Sequence, residues 1–286
     1  MAPWLLTLSI ALSGGRNILS KKLSDMGFGT KGFFLCQGVL FFGGALALAL
    51  FGNLSIIGIS PEILIYAAVY GVLLILAQWF YTKALFGGNT ALCSTVYSMG
   101  FILPTLSGAI FWSEELFFFD ILGIISAIAA IIVSGVAKRG DGKKSSLNYV
   151  FPLIIAMLAS GGLGIVQKLQ QSSPCADQKG IFLVVSFLLA ALISFVAAIF
   201  GKRSEKRICA SRFAIAACVG VFFGCCNLLN TTLAGMLKSA IFFPTLNIGV
   251  ILLSMLLGVI FYKERLRAKE ISVLILGGIS IILLNI

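Results

Sequence analysis

Ten apolar stretches, each about twenty residues long and separated by short polar breaks, leave this chain few folds to choose from. They run near 3–22, 30–52, 61–85, 89–112, 118–137, 147–169, 180–200, 212–235, 239–262 and 268–286. About 20 apolar residues of helix span a bilayer, so ten such helices use nearly all of a 286-residue chain. The pattern predicts an all-α integral membrane protein with ten transmembrane helices, for which the lipid bilayer is the first partner.

Composition agrees. Hydrophobic residues make up 59% and charged residues 11%, whereas a soluble domain carries roughly a quarter charged residues. The first run, from Pro3 to about Leu19, lacks the basic segment and the small-residue cleavage site of a secretion signal, so it reads as a retained helix. The net charge of +11 lies in short Lys/Arg clusters between the spans, which points to lipid surface and topology and to no nucleic acid partner.

Cys36, Cys93, Cys175, Cys209, Cys218, Cys225 and Cys226 lie mostly inside spans with no zinc-type spacing, so they read as small apolar packing residues and no metal is expected. The chain has no histidine, which removes Ser-His and Cys-His hydrolysis, the HExxH helix and His-ligated haem. Neither a catalytic pair nor a nucleotide-binding segment is visible. No cofactor and no enzymatic activity are expected.

The most polar break, 138–146, falls near the midpoint of the chain and reads as a linker between two halves, 1–137 and 147–286. The halves repeat each other. Ser13-Gly14-Gly15 with Lys21 recurs as Ser160-Gly161-Gly162 with Lys168; Gly71, Gln78 and Thr82 recur as Gly220, Asn227 and Thr231. The longest match sets Gly108-Ala-Ile-Phe-Trp-Ser-Glu-Glu-Leu116 against Gly258-Val-Ile-Phe-Tyr-Lys-Glu-Arg-Leu266, with Asp120 and Glu270 in register. Each half holds five spans, an odd number, so the second half enters the membrane from the opposite side and the repeat is inverted.

Seventeen Lys and Arg residues fall in loops on one side of the spans, against Lys168, Lys179 and Lys238 on the other. By the positive-inside rule this bias sets both termini outside the cytoplasm.

The segments Ala91–Leu116 and Ala240–Leu266, in which a small-residue helix runs into Glu-x-Leu before the last helix of each half, resemble the drug/metabolite transporter superfamily, in particular its EamA-like permeases. The resemblance implies a basket of helices around a central cavity that opens to alternate sides of a cell membrane, with small metabolites such as amino acids as substrates. It leaves open a multidrug or nucleotide-sugar/phosphometabolite carrier of the same superfamily, and a non-transporting scaffold remains the alternative outside it. The family's bacterial members usually keep both termini in the cytoplasm, opposite to the charge bias. Smaller relatives carry a glutamate in the first helix for cation exchange, where this chain has Arg16.

Polar groups within spans are costly in hydrocarbon, so they mark either a cavity lining or hydrogen-bonding glue between helices. In the fourth span Thr90, Ser94, Tyr97, Phe101 and Thr105 share a face, and its repeat mate presents Pro244, Asn247, Ile251, Ser254 and Gly258. The third and eighth spans add Gln78, Tyr81 and Thr82, and Asn227, Asn230 and Thr231. Arg16, Gln78, Tyr81, Ser94, Tyr97, Asn227, Asn230, Thr231 and Asn247 are the candidate substrate contacts. Arg16 can take an anion bidentately, or snorkel toward Lys21 and Lys22.

Gly14, Gly15, Gly161 and Gly162 suit either hinges or close packing of the Gly220-x-x-x-Gly224 kind. Pro104 and Pro244 would break helical hydrogen bonds mid-span and complete the set of gating candidates. Lys83 and Lys168 read as interfacial anchors, and Glu114, Glu115 and Glu264 as turn residues at span ends. With no carboxylate mid-span, a uniporter or exchanger is favoured.

Overall fold

The structure, a computed structural model, describes residues 1–25, 29–54, 59–87, 93, 96–137, 149–201, 210–262 and 268–284. Among them the chain forms α1 (Ala2–Asp25), α2 (Thr30–Phe51), α3 (Pro61–Gly87), a 3₁₀ turn Met99–Phe101 leading into α4 (Ile102–Phe111), and α5 (Phe118–Ala137). There follow α6 (Val150–Ser172), a 3₁₀ turn Ala176–Gln178, α7 (Lys179–Phe200), α8 (Ala210–Met236), α9 (Ser239–Tyr262) and α10 (Ala268–Leu283). No strand occurs among the described residues.

Among the described residues six spans are long and apolar enough to cross a membrane: Thr30–Phe51, Pro61–Leu85, Val150–Ser172, Ala176–Phe200, Ala210–Met236 and Ser239–Leu257. Val96–Phe111, Phe118–Val133 and Ile271–Leu283 are shorter apolar helices. The chain is a helical protein of membrane type. Its outward faces carry large apolar side chains, including Leu50, Phe111, Phe151, Ile199 and Phe200, each more than two-thirds exposed. Water would penalise that surface; acyl chains accept it.

Local chemistry sets the helix ends. Pro61 opens α3, where its missing N–H costs nothing, and Glu62 in the first turn meets the positive end of the helix dipole. The N–H of Gly52 closes α2 on the Leu48 carbonyl, and Asn53 then turns through the left-handed region at φ 48°.

The chain divides into two compact units, Met1–Ile75 with Leu169–Gly235, and Leu76–Lys168 with Met236–Ile286. Neither coincides with a sequence half; each combines helices from both. In the first unit α2 packs along α7. Gly52 lies on Gly180, Gly44 on the Phe187 ring, Gly38 on Phe195 and Gly201 on Lys31, so each step forward along α2 meets an equal step backward along α7. The two helices are antiparallel and in close contact over their whole length.

Across the same unit, Gly220 and Gly224 of α8 sit against the α2 backbone at Leu40 and Gly44. A Cβ on Gly44 would lie 2.6 Å from the Phe187 ring and 2.9 Å from the Gly220 carbonyl oxygen, so only glycine permits this approach. The rings of Phe41, Phe187 and Phe223 fill the space beside it.

In the second unit α10 packs along α5, and α9 contacts α4, α5 and α10. The Ser280 hydroxyl of α10 donates to the Gly123 carbonyl of α5 at 2.8 Å, with both groups buried. The small residues of these helices again lie at the contacts: Gly277 faces Ile248 and Leu252 of α9, and Gly123 faces Leu284.

Candidate functional site

The first unit holds a ladder of polar contacts between α1 and α8. The Ser9 hydroxyl donates to Asn230 Oδ1 at 2.5 Å, the Ser13 hydroxyl to Cys226 Sγ at 3.4 Å, and the Arg16 guanidinium lies 4.9 Å from the centre of the Phe223 ring. Positions 9, 13 and 16 share one face of α1 at helical spacing, and 230, 226 and 223 descend α8 in step. A Cβ at Gly15 would press on the Phe222 ring at 3.1 Å, a tight contact that the ring would have to relieve by a few tenths of an ångström. Gly14 is buried beside it.

Beside the ladder, the Tyr70 hydroxyl of α3 donates to Asn227 Oδ1 at 2.5 Å, and the Asn227 amide donates to the Phe223 carbonyl at 2.8 Å. Tyr70 is edge-on to Phe182 of α7. Sequence reasoning singled out Arg16, which lies on α1, and Asn227 and Asn230, which lie on α8. Ser9 and Tyr70 were missed because a hydroxyl in an apolar run has no signature until its partner, more than 150 residues away, is known. Thr231 is completely buried, and its hydroxyl has no hydrogen-bond partner among the described residues.

The second unit holds the other candidates. Tyr81 of α3 and Tyr97 meet with ring centres 4.5 Å apart. Tyr81 adjoins a small core of Ala84, Cys93, Tyr149 and Leu153. Gln78 is partly buried, and its main-chain carbonyl accepts the Thr82 hydroxyl at 2.8 Å. Asn247 of α9 donates its amide to the Phe243 carbonyl at 2.9 Å, one turn back. Pro244 lies inside α9 and leaves the Ala240 carbonyl without its helical donor. Ser94 lies outside the described residues.

Pro104 falls in the first turn of α4, within the apolar helical stretch Val96–Phe111, just after the 3₁₀ turn 99–101 that interrupts it. The Gly100 carbonyl, to which Pro104 has no N–H to offer, lies against Gly161 of α6, where a Cβ would come within 2.5 Å. Gly164 receives the proline ring itself, at 2.8 Å from the same construction. Gly161 thus accommodates the close approach of its neighbour, while Gly162 next to it is partly exposed.

A further polar centre joins three turns of this unit. Lys168 Nζ lies 2.7 Å from Glu114 Oε1, with both side chains about 10% exposed. Lys168 also donates to the Leu237 carbonyl at 3.2 Å, and Glu114 accepts the Ser239 N–H at 2.7 Å and the Ser239 hydroxyl at 3.3 Å. Glu114 therefore caps the N-terminus of α9, where the helix dipole favours an anion. The turn that presents it uses Ser113 at φ 51° and hydrogen bonds from Trp112 and Glu114 back to Gly108. The anchor role read for Lys168 is replaced by a buried ion pair. Its signal was present, since Lys168 sits at the same place in its half as Lys21, but a single-span reading cannot supply the partner.

No protein-family model matches the sequence, and no curated protein matches it. A solved crystal structure superposes on 99% of this chain and 95% of its own chain, with a TM-score of 0.77 and 16% identical residues. At that identity the likeness concerns the fold alone.

Proposed function

We propose that this chain is a secondary membrane transporter of small polar metabolites, working by alternating access. It crosses the bilayer ten times as an inverted repeat of the halves 1–137 and 147–286, in the manner of EamA-like permeases of the drug/metabolite superfamily. The observation that carries this reading is the set of polar contacts of α1, α3 and α8: a guanidinium, two asparagines and a tyrosine placed on helices that otherwise bury and expose hydrocarbon. Helix glue needs a few neutral hydrogen bonds; it does not need a charge.

Packing within each unit supports the repeat. Helices that the repeat relates are neighbours: α2 with α7 in one unit, α4 with α9 and α5 with α10 in the other. A pseudo-two-fold axis in the membrane plane generates such antiparallel mate pairs. Contacts between turns fit serial crossing as well, since Ser60 meets Gln178 at one end of the first unit and Lys31 meets Gly201 at the other. The Lys168–Glu114–Ser239 centre likewise joins the ends of α6 and α4 to the start of α9.

The test is counterflow of labelled amino acids, organic acids and sugars in proteoliposomes loaded with the same solutes. Saturable exchange of at least one class is expected. Absence of saturable exchange across the panel, with protein shown to be folded, would leave the scaffold alternative standing in its place.

A further inference from the structure

Arg16 is placed where a charge has least reason to be. It stands fourteen residues into α1, about 21 Å from the start of the helix and about 14 Å from Asp25 at its end, at 1.5 Å per residue. Its company is neutral. Asn17 Oδ1 accepts from it at 3.4 Å and the Phe223 ring covers it, and among the described residues it forms no ion pair. A guanidinium carries five N–H donors in a rigid fork, and one long bond with one aromatic face leaves most of them unmatched.

The fold does not require that charge. The repeat aligns Arg16 with Leu163 and Phe223 with Leu74, so the equivalent positions of the other half are filled by hydrocarbon. Packing at this place is satisfied by leucine; the arginine serves something that only one half does. Its neighbours along the ladder, Ser9 with Asn230 and Tyr70 with Asn227, supply neutral polar groups, and the centre as described carries one positive charge.

We infer that Arg16 is a carboxylate-binding residue, which makes the solute of this carrier a small organic monoanion. The inference rests on the carrier reading for its physiological meaning. The guanidinium fork matches a carboxylate bidentately, and a single cation balances a monoanion where a phosphate dianion would be left with excess charge.

The test uses acid and amide pairs of one shape: lactate and lactamide, phenylacetate and phenylacetamide, with inorganic phosphate as a separate arm. Binding is read as thermal stabilisation of the purified protein in detergent, which a ligand of the native state raises by mass action. At least one acid should bind about 10- to 100-fold more tightly than its amide, the range of a charged hydrogen-bonded pair. Arg16→Leu, which installs the residue type of position 163, should bring that ratio close to one, and Arg16→Lys should keep part of it.

An unchanged ratio in Arg16→Leu, or no acid bound more tightly than its amide by the wild type, overturns the inference; so does Arg16-dependent binding of phosphate alone. If Arg16→Leu fails to fold, Arg16→Lys against the wild type gives the same comparison. Counterflow of the same acids separates the two readings. Arg16-dependent acid binding without exchange keeps the subsite and removes the carrier, whereas exchange of neutral solutes with no acid preference does the reverse.

Discussion

Breaking the Lys168–Glu114 pair from either side should be among the most damaging single changes available in the second unit. Lys168→Met leaves a carboxylate about 10% exposed, held only by the N–H and hydroxyl of Ser239 and the end of α9. Glu114→Gln leaves an ammonium facing an amide oxygen and the Leu237 carbonyl. Removing one partner of a buried pair costs about 3–5 kcal/mol, and the residual exposure here argues for the lower end, about 3 kcal/mol for each change. In the double variant Lys168→Met/Glu114→Gln no charge is stranded, and the amide oxygen can still accept from Ser239. The double should therefore cost about 2–3 kcal/mol less than the sum of the singles. Denaturant unfolding of the three variants in one detergent measures the cycle. Additive costs, or single variants within about 1 kcal/mol of the parent, would refute the stranded-charge reasoning.

Three further outcomes follow from particular contacts. Gly220→Val should destabilise by about 1–3 kcal/mol or more, because its Cβ would fall on the Leu40 carbonyl oxygen, whereas Gly278→Ala, with nothing within 4 Å, should be neutral or slightly stabilising; the two melting temperatures in detergent check this. Asn227→Leu and Tyr70→Phe should each cost about 1–2 kcal/mol and should not add in the double variant, since both break the same hydrogen bond; an additive double in equilibrium unfolding would count against it. A phosphatase reporter fused after Ile286 should be active outside the cytoplasm of the host, as the bias of basic residues requires; activity of a cytoplasmic reporter at the same place would reverse the orientation.

Helix positions were legible in the sequence because hydropathy is a property of one segment at a time. The apolar runs at 30–52, 118–137 and 239–262 became α2 at 30–51, α5 at 118–137 and α9 at 239–262, with ends within a residue of those expected. Pro104 was legible as a break in hydrogen bonding, but the 3₁₀ turn before it and its packing against Gly164 of α6 depend on the neighbouring helix. The partner of Lys168 was not legible. Lys168 and Glu114 each look like a charge at the end of a span, and their pairing follows from how α6, α4 and α9 converge, which no local pattern encodes.

The repeat read in the sequence partly makes up for this: if its two halves fold alike, as proposed, they provide two sequences for one set of positions. Where the halves agree, the shared residue answers to packing: Gly71 and Gly220 both lie against a neighbouring backbone, the Ser186 carbonyl in one case and the Leu40 carbonyl in the other. Where they differ, the packing common to both halves does not dictate the residue. Ser9, Arg16 and Asn230 correspond to Ala156, Leu163 and Tyr81, so the hydrogen bond and the charge of the α1–α8 ladder have no counterpart of the same kind in the other half. A solute without two-fold symmetry, bound by a repeat that has it, must be recognised by residues that break the symmetry. The candidates for recognition are therefore better sought among the mismatches of the repeat than among its matches, and Arg16 is the mismatch with the largest change in chemistry.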